Sequence, residues 1–180
     1  MKIGLIRHFT VNQSFSGKSL MTPDEYCQWL EDYDRADIHQ ETVNLDGVAW
    51  ERCYCSDASR AIKTAQRIYP GEINIRQNLR ELQIYPVSKN EIRLPLDLWV
   101  VLGRFAWLLD HPSQKEQRRE FKQRLSVFVD ELMSQKEQSM LVVSHGGFMY
   151  FLRQELIRRG FSGPWFFIPP NGKLYIYERR

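Results

Sequence analysis

Short apolar runs alternate along this chain with longer stretches in which apolar residues recur every three or four positions. Lys2–Ile6, Arg52–Cys55, Ile73–Ile75, Met140–Ser144 and Leu174–Glu178 read as strands. Thr22-Pro23-Asp24-Glu25 combines a capping box with Pro at the first helical position. Tyr26, Trp29, Leu30 and Tyr33 follow on one helical face. Ser113-Gln114-Lys115-Glu116 repeats the box and predicts a second helix, whose buried stripe is Phe121, Leu125, Phe128, Val129 and Leu132. Two more helices are expected just after Ser56-Asp57 and just after His145-Gly146-Gly147. Leu94, Leu98, Val101, Leu102, Phe105, Leu108 and Leu109 also fall at helical spacing, and an ordinary core helix is the leading reading for them.

Strand-then-helix alternation of this kind predicts an α/β fold, a three-layer α/β/α sandwich with a largely parallel central sheet covered on both faces. No repeat, low-complexity tract or Gly/Ser-rich linker divides the sequence, so residues 1–180 read as a single domain.

Composition narrows the class. With 43% hydrophobic and 26% charged residues the chain can bury one sizeable core, which argues against disorder. Twenty-five Lys and Arg against 22 Asp and Glu leave a net charge of +3, too slight an excess to imply a nucleic-acid partner. The three cysteines are an odd number in no zinc spacing, which speaks against a disulfide framework. Met1-Lys2-Ile3-Gly4-Leu5-Ile6-Arg7-His8 meets charge after a short apolar run, unlike a signal peptide. Leu94–Leu109 contains Asp97 and Arg104 and is too short to cross a bilayer. The expectation is a cytoplasmic protein without a membrane partner.

In parallel sheets ligands gather at the carboxyl ends of strands. That rule selects residues 7–10, 56–60 and 144–147, which present Arg7, His8, Arg60 and His145-Gly146-Gly147. Two guanidinium groups and two imidazoles in one crevice would suit a phosphoryl group, since arginine's planar fork stays charged at any working pH. The glycines let backbone N–H groups at a helix start face an anion. A neutral imidazole is a competent nucleophile toward phosphorus, and nearby positive charge keeps it unprotonated. Glu81, after the Ile73–Ile75 strand, is the candidate proton donor.

These residues carry a resemblance. Leu5-Ile6-Arg7-His8 resembles the opening signature of the histidine phosphatase superfamily, also called phosphoglycerate mutase-like. Cys55-Ser56-Asp57-Ala58-Ser59-Arg60-Ala61-Ile62-Lys63-Thr64-Ala65 is similar to its second conserved segment, and Leu79-Arg80-Glu81 to the motif bearing its acid. Leu141-Val142-Val143-Ser144-His145-Gly146-Gly147 matches its second-histidine motif, and Pro170-Asn171-Gly172-Lys173-Leu174 the loop before its last strand. Four motifs in the right order at strand ends are a specific signal. The resemblance implies a phosphoglycerate mutase-like fold in which His8 becomes phosphohistidine. Arg7, Arg60 and His145 hold the phosphoryl oxygens, and Glu81 serves as acid and then base. Thr10, Asn12 and Gly146 are further candidate phosphate contacts, and no cofactor or metal is implied.

The chain also departs from the family pattern. Phe9 replaces the usual glycine, and Thr10 alone represents the pair that follows. Asn12 lies earlier than the family's loop asparagine, and Ile84-Tyr85-Pro86 replaces the common continuation after Glu81. The stretch about 86–117 is untypical and cap-like. Within it, residues 94–109 have two readings beside the core helix. One is a substrate cap using Trp99, Arg104 or Trp107, and the other is a subunit interface, so a homodimer stays open. His39 and His111 sit in polar company and read as exposed. Cys53 and Cys55 invite a tyrosine-phosphatase reading. It fails, because Cys55 is one residue too close to Arg60 for that loop and Cys53 one too far. The expected function is metal-independent hydrolysis of a small phosphorylated metabolite. The alternatives are a phosphoester-binding scaffold with little turnover, because Phe9 could cover the pocket, and a phosphoglycerate-type mutase.

Overall fold

The apolar runs pair as the alternation predicts. The computed structural model describes residues 1–13 and 20–179. In chain order its elements are β1 (Lys2–Arg7), β2 (Leu20–Met21), α1 (Pro23–Arg35), β3 (Arg52–Ser56), α2 (Ser59–Ile68), β4 (Ile73–Arg76), β5 (Leu94–Pro95), α3 (Leu96–Leu108), α4 (Arg118–Ser134), β6 (Ser139–Ser144), α5 (Gly146–Arg158) and β7 (Leu174–Glu178). A 3-10 turn at Gln77–Leu79 follows β4. No helix among the described residues is long and apolar enough to cross a membrane.

By their contacts the elements form two compact units. The first comprises Met1–Val11, Asp37–Glu81 and Gln123–Arg180, and the second Asn12–Ala36 and Leu82–Lys122. The second therefore takes in residues near the start of the chain together with the 86–117 stretch.

The first unit holds a five-stranded sheet in the order β4-β3-β6-β1-β7, parallel except for β7. Side chains on a strand alternate between faces, and the packing follows that alternation. Ile6, Cys53, Cys55, Leu141 and Val143 lie in one cluster with Ala61 and Ala65 of α2. Tyr54, between the two cysteines, instead meets Phe128 of α4 edge to face at 5.7 Å. The sheet is thus covered by helices on both sides, the α/β arrangement expected. β6 is buried at all six positions, as a central parallel strand should be. Cys53 and Cys55 are the small core residues their spacing implies, and burial pushes their thiols up to about 12 and about 11.

The second unit shows the capping box of α1 intact. The Thr22 hydroxyl accepts from Glu25 N, and the Glu25 carboxylate accepts from Thr22 N at 2.8 Å. Tyr26, Leu96 and Trp99 form its core. Tyr26 donates to the Ile84 carbonyl, and the Trp99 indole to the Met21 carbonyl.

Two expectations need correction here. The helix after Ser113 begins only at Arg118, and Gln117 N bonds Glu120 instead. Gln114 is diverted, because its side chain both accepts from Tyr85 N and donates to Tyr85 O. The stripe expected to bury residues 94–109 is also displaced. α3 buries Leu96, Trp99, Gly103, Ala106 and Trp107, while Leu98, Val101, Phe105, Leu108 and Leu109 are exposed. Gly103 is needed on the buried side, since an added Cβ would fall 2.2 Å from an Ile84 methyl.

Candidate active site

The carboxyl ends of β1, β3 and β6 bring the expected residues together in the first unit. Parallel pairing sets Arg7 opposite Ser144, so His8 and His145 emerge side by side. Their ring centroids are 5.2 Å apart with the planes tilted by 58°. Both rings are buried. Arg60, in the first turn of α2, and Arg7 both act electrostatically on the two imidazoles. Burial, then Arg60, then Arg7 bring the His8 pKa down to about 3, against an opposing hydrogen bond that the ring donates to the Phe9 carbonyl. His145 is held well below its ordinary value by burial first and then by Arg60, His8, Arg7 and Arg124.

Neighbours fix the chemistry of each ring. His8 Nδ1 lies 2.7 Å from the Phe9 carbonyl, which can only accept. The ring hydrogen therefore sits on Nδ1, and Nε2 keeps its lone pair. His145 Nε2 lies 2.9 Å from Ser56 Oγ, and Ser56 Oγ accepts from Ala58 N. When the hydroxyl hydrogen is given to His145 Nε2, His145 bears its own hydrogen on Nδ1. His145 Nδ1 and Arg7 Nε are both buried without a hydrogen-bond partner among the described residues. Each can donate to a bound anion.

The backbone around His8 is tied from several directions. Phe9 N donates to Thr64 Oγ1, which donates to the Arg60 carbonyl, linking β1 to the first turn of α2. Arg7 Nη1 donates to the Pro169 carbonyl at 3.0 Å, and Asn171 Nδ2 donates to the His8 carbonyl at 2.6 Å. Phe9 is fully buried and takes no positive φ. Gly172, at φ +64°, makes room for it, since an added Cβ there would lie 3.1 Å from the Phe9 ring.

Glu81 is held against the start of α5. Its carboxylate accepts from Gly147 N at 2.9 Å and Phe148 N at 2.8 Å, supplying the cap that the His145 side chain does not. The turn before it is fixed by Ser144 Oγ donating to the Leu79 carbonyl and by Arg124 donating to the carbonyls of Asn78 and Arg80. Arg80 Nε donates to Asp57 Oδ1 at 2.7 Å and to Oδ2 at 2.9 Å, and Nη2 also donates to Oδ2. The two glycines differ in what they admit. A Cβ on Gly146 would lie 3.4 Å from the Arg7 guanidinium, whereas one on Gly147 would fall 2.7 Å from Glu81 Oε1.

Among the described residues no hydrogen bond brings Thr10 to this cluster. Thr10 is exposed, and its N–H faces the Glu41 carboxylate at 3.3 Å, which disfavours an anion there. Asn12 is an exposed residue at the beginning of the second unit. His39 and His111 are exposed as expected. Ser56, Thr64, Ser144, Arg124 and Asn171 were not singled out from sequence, although Ser56, Thr64, Ser144 and Asn171 lie inside the motif segments. Among the described residues no group of three or more His, Cys, Asp or Glu side chains is arranged to hold a metal ion.

Comparisons with known proteins bear on the family and the fold. No curated protein matches the chain. Among solved structures, the alpha-ribazole phosphatase of Shigella flexneri is similar, with 26% identity, a TM-score of 0.54, and coverage of 87% of this chain and 80% of its own. Bacillus stearothermophilus YhfR shares the fold at 18% identity and a TM-score of 0.57, covering 97% of this chain and 89% of its own. A mycobacterial glucosyl-3-phosphoglycerate phosphatase does so at 18% and 0.55, covering 87% and 79%. The sequence profile of the histidine phosphatase superfamily (branch 1) matches residues 5–180. With its paired imidazoles set among arginines at the ends of a parallel sheet, the chain belongs to the histidine phosphatase superfamily.

Proposed function

We propose that this protein hydrolyses phosphomonoesters through a phosphohistidine on His8, and that its substrate is a small phosphorylated metabolite. One observation carries the reading. Two neutral imidazoles sit 5.2 Å apart under the charge of Arg7 and Arg60, and the Phe9 carbonyl leaves His8 Nε2 as the free lone pair.

The Nε2 lone pair attacks phosphorus and the ester P–O bond breaks. Arg7, Arg60 and His145 Nδ1–H donate to the phosphoryl oxygens as charge spreads over them, and the start of α5 at Gly146 adds its backbone polarity. Glu81 gives a proton to the leaving oxygen. Its carboxylate is oriented by the N–H groups of Gly147 and Phe148 at the start of α5. In the second half Glu81 takes a proton from water, the water oxygen bonds phosphorus, and the N–P electrons return to His8. The guanidinium charges supply what a metal ion would otherwise supply, so the reaction proceeds without one.

Burial of Phe9 against Gly172 favours turnover over a scaffold role, because the ring is accommodated in the interior. The test is p-nitrophenyl phosphate hydrolysis in EDTA with wild type, His8→Ala and His145→Ala, together with trapping of an acid-labile phosphoenzyme. Wild-type turnover in EDTA and its loss in His8→Ala are expected. Dependence on a divalent metal, or undiminished turnover in His8→Ala, overturns the mechanism, and dependence on a bisphosphorylated primer makes the protein a mutase.

A further inference from the structure

The segment before β7 exposes large apolar side chains beside the phosphate-binding cluster. Trp165 is 72% exposed, Phe167 60% and Ile168 65%, whereas Phe166 between them is buried against Tyr175 at 4.5 Å. Isolated exposed apolar residues are ordinary, but a contiguous patch beside a polar site marks a binding surface. Tyr150 of α5 meets Phe167 edge to face at 5.6 Å.

Beneath these rings lies Arg153, only 6% exposed. Among the described residues it forms no ion pair or hydrogen bond, and its Nε is buried and unpartnered. Its guanidinium instead faces the rings of Tyr150, Trp165 and Phe166 at 5.4, 5.7 and 5.6 Å. A buried cation without a carboxylate is costly, and the negative faces of three rings offset it. Arg153 thereby fixes the rings in place with a positive floor under them.

The shelf runs into the anion site. Pro169, next to Ile168, accepts the hydrogen bond of Arg7, and Tyr150 stands one turn, about 6 Å of rise, from Gly146. A phosphoryl group at Arg7 would place a ring a few bonds away over Tyr150 and Phe167. Resting on the phosphomonoesterase reading, we infer that Tyr150, Trp165, Phe167 and Ile168 form a stacking subsite for a planar aromatic or heteroaromatic leaving group, with Arg153 as its positioning residue.

Adenosine 5′-monophosphate and ribose 5-phosphate break the same ester bond and differ by the ring system. Wild type should favour the former in kcat/KM by about fivefold or more, and Phe167→Ala and Trp165→Ala should lower that ratio at least fivefold, the scale of base stacking on an aromatic side chain. Phe167→Tyr should restore it, and Arg153→Met should lower it chiefly through KM. A ratio near one in wild type, or an equal loss on both substrates, overturns the subsite.

A binding experiment separates this inference from the catalytic reading. In His8→Ala, adenosine monophosphate should quench tryptophan emission, ribose 5-phosphate should not, and adding Trp165→Phe should abolish the quench. If the quench is present while His8→Ala still hydrolyses esters, the phosphohistidine reading fails and the subsite stands. If it is absent, the subsite is overturned whatever the catalysis. A blue shift with phosphatidylglycerol vesicles and no response to the nucleotide overturns it in favour of a lipid surface.

Discussion

Gly147→Ala should separate stability from activity. The added methyl would lie 2.7 Å from Glu81 Oε1, 3.2 Å from Cδ and 3.3 Å from Oε2, so the carboxylate must leave. Moving it forfeits the bonds to Gly147 N and Phe148 N, and loss of such a cap costs about 1–2 kcal/mol. Alanine in place of glycine returns about 1 kcal/mol of helix propensity. The two nearly cancel, and Tm should move by a few degrees at most. Catalysis has no such compensation. A positioned acid supplies roughly 10²–10⁴-fold, so kcat/KM on an alkyl phosphate should fall at least a hundredfold. An activated ester such as p-nitrophenyl phosphate, whose leaving oxygen needs little protonation, should lose much less. Gly146→Ala places its methyl 3.4 Å from the Arg7 guanidinium, ordinary contact, and should retain most activity on both. The reasoning is refuted if Gly147→Ala turns over alkyl phosphates at the wild-type rate, or if it loses both esters equally.

Other expectations follow from single contacts. His8 and His145 are buried neutral, so the unfolded chain binds more protons below pH 6.5. Stability should therefore fall as pH drops from 6.5 to about 3, by ~1.4 kcal/mol per unit for His8 alone. Urea unfolding at pH 7 and 5 measures this slope, which His8→Gln should flatten. Ser56→Ala removes the hydroxyl bonded to His145 Nε2, and a lost hydrogen bond of ~1–1.5 kcal/mol should cost about tenfold in kcat/KM with little change in far-ultraviolet circular dichroism. Phe128→Ala opens a cavity under Tyr54 and should cost about 3–5 kcal/mol by denaturant titration. A thiol reagent at neutral pH should label Cys27 in the native protein and spare buried Cys53 and Cys55, with all three reacting in urea.

The strands and the four cationic and imidazole residues were legible because each signal is local. An apolar run has one way to pair in a buried sheet, and the strand ends then fix where Arg7, His8, Arg60 and His145 go. The α1 capping box was legible for the same reason. Glu81 was identified, but its bonds to α5 were not, because they join residues 66 and 67 positions apart. α3 misled because apolar side chains lie on both of its faces, and periodicity cannot say which side a neighbour occupies. Trp99 and Gly103 mark the buried side only once Ile84 and Met21 are in place. The start of α4 misled because a capping signal is conditional, and Gln114 found a stronger use in clasping Tyr85. β2 and β5 pair through two residues each, too few to leave an alternation.

The register of β1 imposes an order on biosynthesis. Lys2 is paired with Ser139 on one side and Glu178 on the other, so the strand that leads to His8 has neither neighbour until β6 and β7 have been synthesised. Until then Ile3, Leu5 and Ile6 form an apolar segment with both edges unsatisfied, the kind of segment that holding chaperones shield. His8 and His145 therefore come side by side only once β6 has joined β1.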